Sequence, residues 1–301
     1  MKKNSFAASP LWKDINKKII TKNNIATLDN FKSNEINHRI SLWNPQTNGI
    51  RYLKSLIYNL SSELSSLDWQ KIKKIKNRDI GNPISIKYNN QDICLDYVQA
   101  LFEMNFISKK FNFNNKKIIE IGVGYGRTCH SIISNYDIKS YQIVDLENCL
   151  YLSQRYLKSV LTKEQFSKIS FLSNEELSVV MDSHFDIAIN IDSFAEMEST
   201  VVYSYLRYIA DSCSYFYTKN PVGKYLDKSL DNHSRGKRTV SNAMKTGILR
   251  QIVDINNNNS VELNSRKFIQ EYCPGKKWQS ISNSWAKPWS HYWQSLYKLN
   301  K

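Results

Sequence analysis

The stretch Glu120-Ile121-Gly122-Val123-Gly124-Tyr125-Gly126-Arg127 closes a short apolar run that begins at Lys116 and is rich in β-branched residues. Such a run reads as a buried strand. Glycines at its end let the backbone turn sharply and let a ligand approach with no Cβ in the way. The dinucleotide fingerprint needs G-x-G-x-x-G. Here the third glycine comes one residue early and Arg127 follows it, so the pattern is acid-x-G-x-G-x-G, which suits a nucleoside without a pyrophosphate. Asp145, 19 residues past Gly126, ends the next apolar run, YQIVDLE (141–147). A carboxylate at a strand end can accept hydrogen bonds from both hydroxyls of a ribose. The competing reading of the same residues is a glycine-rich turn with a capping acid and no ligand.

Working outward, ISFLS (169–173), FDIAINID (185–192) and SYFYTKN (214–220) read as further strands. Helical spacing lies between them, at Thr128–Ile133, through Leu150, Leu152, Tyr156, Leu157 and Leu161, and over 195–211. Strand and helix alternating at this pitch predict an α/β fold, with a parallel sheet covered on both faces. Upstream, Leu53, Leu56, Ile57, Leu60, Leu64 and Leu67 recur at helical steps, predicting one amphipathic helix over Gly49–Leu67. Tyr97, Ala100, Leu101, Met104 and Ile107 predict another over Asp96–Phe111, after Gly81-Asn82-Pro83 punctuates the chain. The expected division is a mainly helical N-terminal region, 1–115, on the acceptor side, and an α/β domain with a C-terminal extension, 116–301.

The chain has 301 residues, 41% of them hydrophobic, so a buried core is expected. No run approaches the roughly 18–20 apolar residues of a membrane span, and MKKNSFAASPLWKD lacks the apolar segment of a signal peptide. A cytoplasmic location is the expectation. Residues 1–117 carry 20 Lys/Arg against 9 Asp/Glu, 118–220 carry 8 against 13, and 221–301 carry 14 against 5. The formal net charge of +15 thus sits in two basic ends around an acidic middle. A chain crowded with Lys, Asn and Ile acquires such an excess from composition alone. Nucleic acid is therefore not the expected partner, and contact with a membrane surface stays open. Cys94, Cys129, Cys149, Cys213 and Cys273 form no CxxC pair, which argues for small buried side chains over disulfides or structural zinc.

The glycine loop, the strand-end acid and the alternating units together resemble the class I S-adenosylmethionine-dependent methyltransferases. The resemblance implies a Rossmann-like sheet with helices on both faces and S-adenosylmethionine as cofactor. It places Gly122, Gly124 and Gly126 beneath that cofactor, Glu120 near its amino-acid end, and Asp145 on its ribose. Ser173 and Asn174 would sit by the adenine and Asn190 on the methionine side, although turn and cap roles fit the two asparagines equally. An amino-methylating Asp/Asn-Pro-Pro-aromatic loop is absent after the fourth strand, where Asn190-Ile191-Asp192-Ser193 stands, and no cysteine nucleophile lies near it. An oxygen acceptor remains. Residues 78–221 (IGNP, IIEIGVGYGR, YQIVDLE, NIDSFAEM and YFYTKNP) resemble more narrowly the sugar O-methyltransferase family of bacterial surface-polysaccharide clusters. That resemblance implies a sugar or glycan-precursor substrate. Asp-Leu-Glu after the second strand departs from the expected Asp-Leu-Pro, and the chain ends match nothing of the family.

Asp192 and Glu196, four apart, can serve as general base or as hard oxygen ligands of a divalent cation, or merely as acids favoured at a helix start. His233 suits proton transfer near neutral pH, and a solvated loop histidine reads the same way. Beside it, Arg235, Lys237 and Arg238 form either a phosphate clamp or a solvated charge run. Trp285, Trp289 and Trp293 recur every four residues among Tyr292 and Tyr297, the pattern of a packed terminal helix or dimer contact, or of sugar-stacking rings. One enzymatic rival is an RNA ribose 2′-O-methyltransferase using Lys117, Asp192, Lys219 and Glu262. A rival outside catalysis is a cofactor-binding scaffold for a biosynthetic partner.

Overall fold

A computed structural model describes residues 9–24, 26, 35–176, 184–225 and 236–300. Among the described residues, four helices come first: α1 (Pro10–Lys18), α2 (Glu35–Ile40), α3 (Gly49–Ser62) and α4 (Ser66–Lys74). A small antiparallel hairpin, β1 (Ser85–Tyr88) and β2 (Gln91–Cys94), interrupts the otherwise helical region. Its two-residue turn is Asn89-Asn90, both at positive φ, the geometry that matches the twist of a hairpin. The helix α5 (Leu95–Ser108) follows and buries all five residues of the stripe read from the sequence.

The predicted single helix over Gly49–Leu67 is two helices. Ser65 forms a capping box with Asp68: its hydroxyl accepts the Asp68 N–H, and the Asp68 carboxylate accepts the Ser65 N–H at 2.9 Å. That reciprocal cap starts α4. Leu67 thereby leaves the apolar stripe and is 67% exposed, while Ile57, Leu60 and Leu64 stay buried.

The sheet begins with β3 (Lys117–Ile121) and continues through α6 (Arg127–Asn135), β4 (Ser140–Asp145), α7 (Glu147–Val160), α8 (Lys163–Ser167), β5 (Ile169–Ser173), β6 (Phe185–Ile191), α9 (Ser199–Ser212) and β7 (Cys213–Pro221). Two helices, Gly236–Ala243 and Asn258–Glu271, precede β8 (Trp278–Trp285) and β9 (Tyr292–Leu299). The spatial order is β5-β4-β3-β6-β7-β9-β8, with β3 to β7 parallel and β9 antiparallel to both neighbours. This is the Rossmann-like α/β sheet with helices on both faces expected from the sequence, preceded by a mainly helical region. The chain leaves β3 in one direction and returns to β6 on its other side, so the carboxyl ends of β3 and β6 open the crevice where such sheets hold ligands.

Strand residues alternate between two cores. Ile118, Tyr141, Ile143, Ile187, Ile189 and Tyr217 share one with α3 to α7, whereas Ile119, Ile121, Val144, Ala188 and Phe216 share the other with α9 and the Asn258–Glu271 helix. Of the N-terminal helices, α3, α4 and α5 thereby share the sheet's core, and α5 meets it through Phe106 against Tyr217. The aromatic stripe read as a packed terminal helix is instead a strand hairpin. Trp285 and Trp293 pair across it, and Trp289 sits in the loop between. The four-residue spacing comes from the turn, and the alternation that marks a strand is masked because both flanks of β9 carry aromatics. All five cysteines are free. Among the described residues no helix is long and apolar enough to cross a membrane.

Candidate active site

The three loop glycines all have positive φ, each for a different reason. At Gly122 (φ +79) a Cβ would lie 2.1 Å from the Ser193 hydroxyl oxygen, so the glycine admits a neighbouring turn. At Gly126 (φ +102) it would lie 2.9 Å from Leu157 Cγ, so that glycine admits α7. Only at Gly124 (φ +59) would a Cβ meet nothing within 4 Å. The open side of the bend is at the middle glycine.

Asp145 faces this bend. Its carboxylate accepts the Gly124 N–H at 3.1 Å and the Leu146 N–H at 2.7 Å, which fixes it against the loop from the end of the adjacent strand. Ser173 lies across from Asp145 in the ladder. Its hydroxyl donates to Glu176, and the Asn174 N–H donates to the Asp145 carbonyl, so both border the acid on its outer side.

A cleft of about 320 Å³ runs from the loop to the carboxyl ends of β6 and β7. One wall is the loop itself, with Glu120, Gly122, Gly124 and Tyr125; the others are Asp96 and Gln99 of α5, Asp192 just after β6, Lys219 near the end of β7, and Trp289 and Tyr292 of the C-terminal hairpin. The Tyr292 hydroxyl donates to Asp192 at 2.7 Å, and the Trp289 indole N–H donates to Gln99 at 3.1 Å. Burial, reinforced by the facing Asp192 carboxylate, pushes the Tyr292 phenol well above its ordinary range, so it remains a donor. Asp192 adopts φ +68, rare for a residue with a side chain, and its N–H is held by the Lys219 carbonyl at 2.8 Å.

Beneath the cleft lies a buried ionic bridge. Glu103 of α5 accepts Lys219 Nζ at 2.8 Å and Arg127 at 3.2 Å, and Lys219 also donates to Gln99 at 3.1 Å. Burial pushes the Glu103 carboxyl upward, but the two cations outweigh it and hold the group below its ordinary range. Glu120 has no such partner. Burial pushes it up to about 8, against the opposing hydrogen bond from the Tyr141 hydroxyl at 2.8 Å. It is therefore a neutral acid near pH 7.

Asn190 is fully buried behind the loop. Its amide donates to the Ile121 carbonyl at 3.0 Å and to Ser193 at 2.7 Å, and it accepts from Asn220 at 2.8 Å. It ties three strand ends together and is not among the cleft-lining residues. Glu196 does not open a helix. A 3₁₀ turn, Ser193–Ala195, separates it from Asp192, and α9 starts at Ser199, so only Asp192 reaches the cleft lining. The 3₁₀ turn forms because the Asn220 side chain accepts the Ala195 N–H at 3.2 Å and holds the chain short of the helix. Among the described residues no three His, Cys, Asp or Glu side chains converge as cation ligands. His233 and the side chains of Arg235, Lys237 and Arg238 lie outside the described residues.

Of the set Lys117, Asp192, Lys219 and Glu262, the structure brings together two. Lys117 begins β3, at the end of the strand remote from the loop, and Glu262 is exposed on a helix of the opposite face. Gln99 and Glu103 had no signal as site residues, because the approach of α5 to the loop is set by packing; Trp289 and Tyr292 were visible only as members of the aromatic stripe, one reading of which was sugar-stacking rings. Arg127 was visible only as a departure from a fingerprint.

No family model and no curated protein matches the chain. Solved structures with a similar layout include the methyltransferase domain of bacterial CtHen1, at 15% identity over 68% of this chain and 98% of that one, with a TM-score of 0.42. TrmK of M. capricolum, in complex with S-adenosyl-homocysteine, matches at 12% identity over 66% and 69%, with a TM-score of 0.40. The mitomycin 7-O-methyltransferase MmcR matches at 9% identity over 67% of this chain and 54% of its own length, with a TM-score of 0.46. At these identities and scores the likeness says nothing of substrate or chemistry.

Proposed function

We propose that the chain is an S-adenosylmethionine-dependent O-methyltransferase acting on a sugar hydroxyl of a glycan or its nucleotide- or lipid-linked precursor. One observation carries this reading: the open glycine position of the loop lines a cleft with Asp192 at its far end, and Asp145, next to that lining, is held to the same glycine by its N–H. Asp145 would hold the ribose, and the space over Gly124 would admit the adenosyl part without a clash. The bound cofactor would supply a methyl group made electrophilic by its sulfonium. The chain's own residues then have two tasks, orientation and proton acceptance. Trp289 and Tyr125 offer apolar ring faces and Asp96 and Gln99 offer polar groups, a mixture suited to a polyhydroxylated acceptor. Asp192, oriented by the Tyr292 hydroxyl and by its own strained backbone, would accept the proton of the acceptor hydroxyl.

Calorimetric titration with S-adenosyl-homocysteine should show binding that Asp145→Asn weakens strongly. Labelled cofactor should then mark a glycan or sugar-precursor fraction, and Asp192→Asn should lower turnover with little change in cofactor affinity. Absence of S-adenosyl-homocysteine binding would end the reading. Labelling of RNA with a steep salt dependence would replace the sugar with a nucleic acid acceptor.

A further inference from the structure

Between Glu35 and Glu63 the chain contains no Asp or Glu, yet it carries Arg39, Arg51 and Lys54. Arg39 is neutralised by Glu35 at 2.9 Å. The helix α3 lies in this stretch and is two-sided. Ile57 and Leu60 are buried in the core, with Leu53 and Leu56 packed against it, whereas Ile50 and Tyr58 on the outward side are 62% and 55% exposed. Ile40, Leu42 and Trp43, just before the helix, are each about half exposed. The Tyr52 hydroxyl donates to the Trp43 carbonyl at 2.7 Å and the Arg51 guanidinium lies 4.5 Å from the Trp43 ring, so this segment is fastened to the start of α3. A groove of about 520 Å³ follows the outward face, lined by Ile50, Arg51, Lys54 and Tyr58 and closed by Ile86 of β1.

We propose that this face, the outward side of α3 with Ile40–Trp43, docks on an anionic membrane surface. Contiguous exposed apolar side chains mark interaction sites. Cations interleaved with Trp, Tyr and Ile suit the membrane boundary, where rings sit at headgroup depth and anionic headgroups attract Arg and Lys. A second copy fits worse, because a two-fold contact would set Arg51 and Lys54 against their own mates with no carboxylate between them. Nucleic acid would use the cations but leaves the exposed Ile and Leu unexplained. The docking face is also close to the cleft. Glu63, directly after α3, pairs at 2.7 Å with Lys287 of the loop that carries Trp289, and a helix of this length spans about 21 Å. An acceptor carried on a lipid would thus be within reach, although the inference stands whether or not the cleft methylates a sugar.

The test is co-sedimentation of the full chain with phosphatidylcholine vesicles, with and without a quarter of phosphatidylserine. Binding should require the anionic lipid and weaken as salt rises. Replacing both cations (Arg51→Gln with Lys54→Gln) should lower partitioning roughly twenty-five-fold, about fivefold for each charge near the surface. Ile50→Ser with Leu42→Ser should lower it as well, with a retained cooperative melt and unchanged S-adenosyl-homocysteine titration, since both side chains are at least half exposed. Failure of the wild-type chain to bind anionic vesicles, or equal binding by the variants, would overturn the inference. So would a concentration-dependent dimer that the same substitutions abolish.

Discussion

Alanine at each loop glycine in turn should separate folding from ligand binding, because the three Cβ positions meet different surroundings. Gly124→Ala adds a methyl with nothing within 4 Å, so its cost is the left-handed backbone alone, about 1 kcal/mol. Gly126→Ala carries a similar backbone cost and also drives the methyl to 2.9–3.0 Å from Leu157 Cγ and both of its Cδ atoms. Leu157 is fully buried and cannot swing away, so overpacking brings the total to roughly 2–5 kcal/mol. Gly122→Ala would place a methyl 2.1 Å from the Ser193 hydroxyl and expel that side chain from the Ile121 carbonyl and the Asn190 amide, a loss of at least the same order. Urea unfolding followed by circular dichroism measures the three costs, and calorimetry with S-adenosyl-homocysteine measures binding. Gly124→Ala should fold nearly as well as wild type yet bind about tenfold or more weakly, the effect of ~1.4 kcal/mol lost in the cleft. If it bound like wild type, the open direction would not belong to the ligand. Destabilisation by Gly124→Ala equal to that by Gly126→Ala would refute the reasoning from Cβ surroundings.

Two further perturbations address the buried charges. Glu103→Gln strands Lys219 and Arg127 without their shared carboxylate, so unfolding should become easier by about 3–5 kcal/mol, read from the urea midpoint; a midpoint within error of wild type would show that the bridge is not what holds α5 to the loop. Glu120 ionises in the folded chain only near pH 8, above its ordinary carboxyl range, so its contribution to stability is complete below the ordinary value and is lost as pH rises through about 8. Glu120→Gln cannot ionise, and its stability relative to wild type should therefore grow between pH 5 and pH 8; parallel pH curves would contradict a buried neutral acid at that position.

Much of the central sheet was legible in advance because its signals are local. A β-branched run ending in glycines, followed by helical spacing and a strand-end acid, implies β3, α6 and β4 with little help from the rest of the chain. The five parallel strands all fall on the runs read as strands. Local signals failed where a neighbour decided the outcome. The stripe through Leu67 looked continuous, but the Ser65–Asp68 capping box broke it. Glu196 looked like the start of a helix, but the Asn220 side chain holds the chain in a 3₁₀ turn first.

The candidate site divides in the same way. Order along the chain was enough to place Gly122, Gly124, Gly126 and Asp145 at the carboxyl ends of adjacent strands, because residue count and strand period leave them nowhere else. Tertiary packing alone decided that Gly122 and Gly126 yield to Ser193 and Leu157 while Gly124 faces the cleft. It alone brought Gln99 from α5 and Trp289 and Tyr292 from the C-terminal hairpin to the same opening, with Glu103 buried beneath it. The physical reason is separation: hydrogen-bonded periods extend over a few residues, whereas Glu103 and Lys219 meet across 116 positions only after both cores have formed.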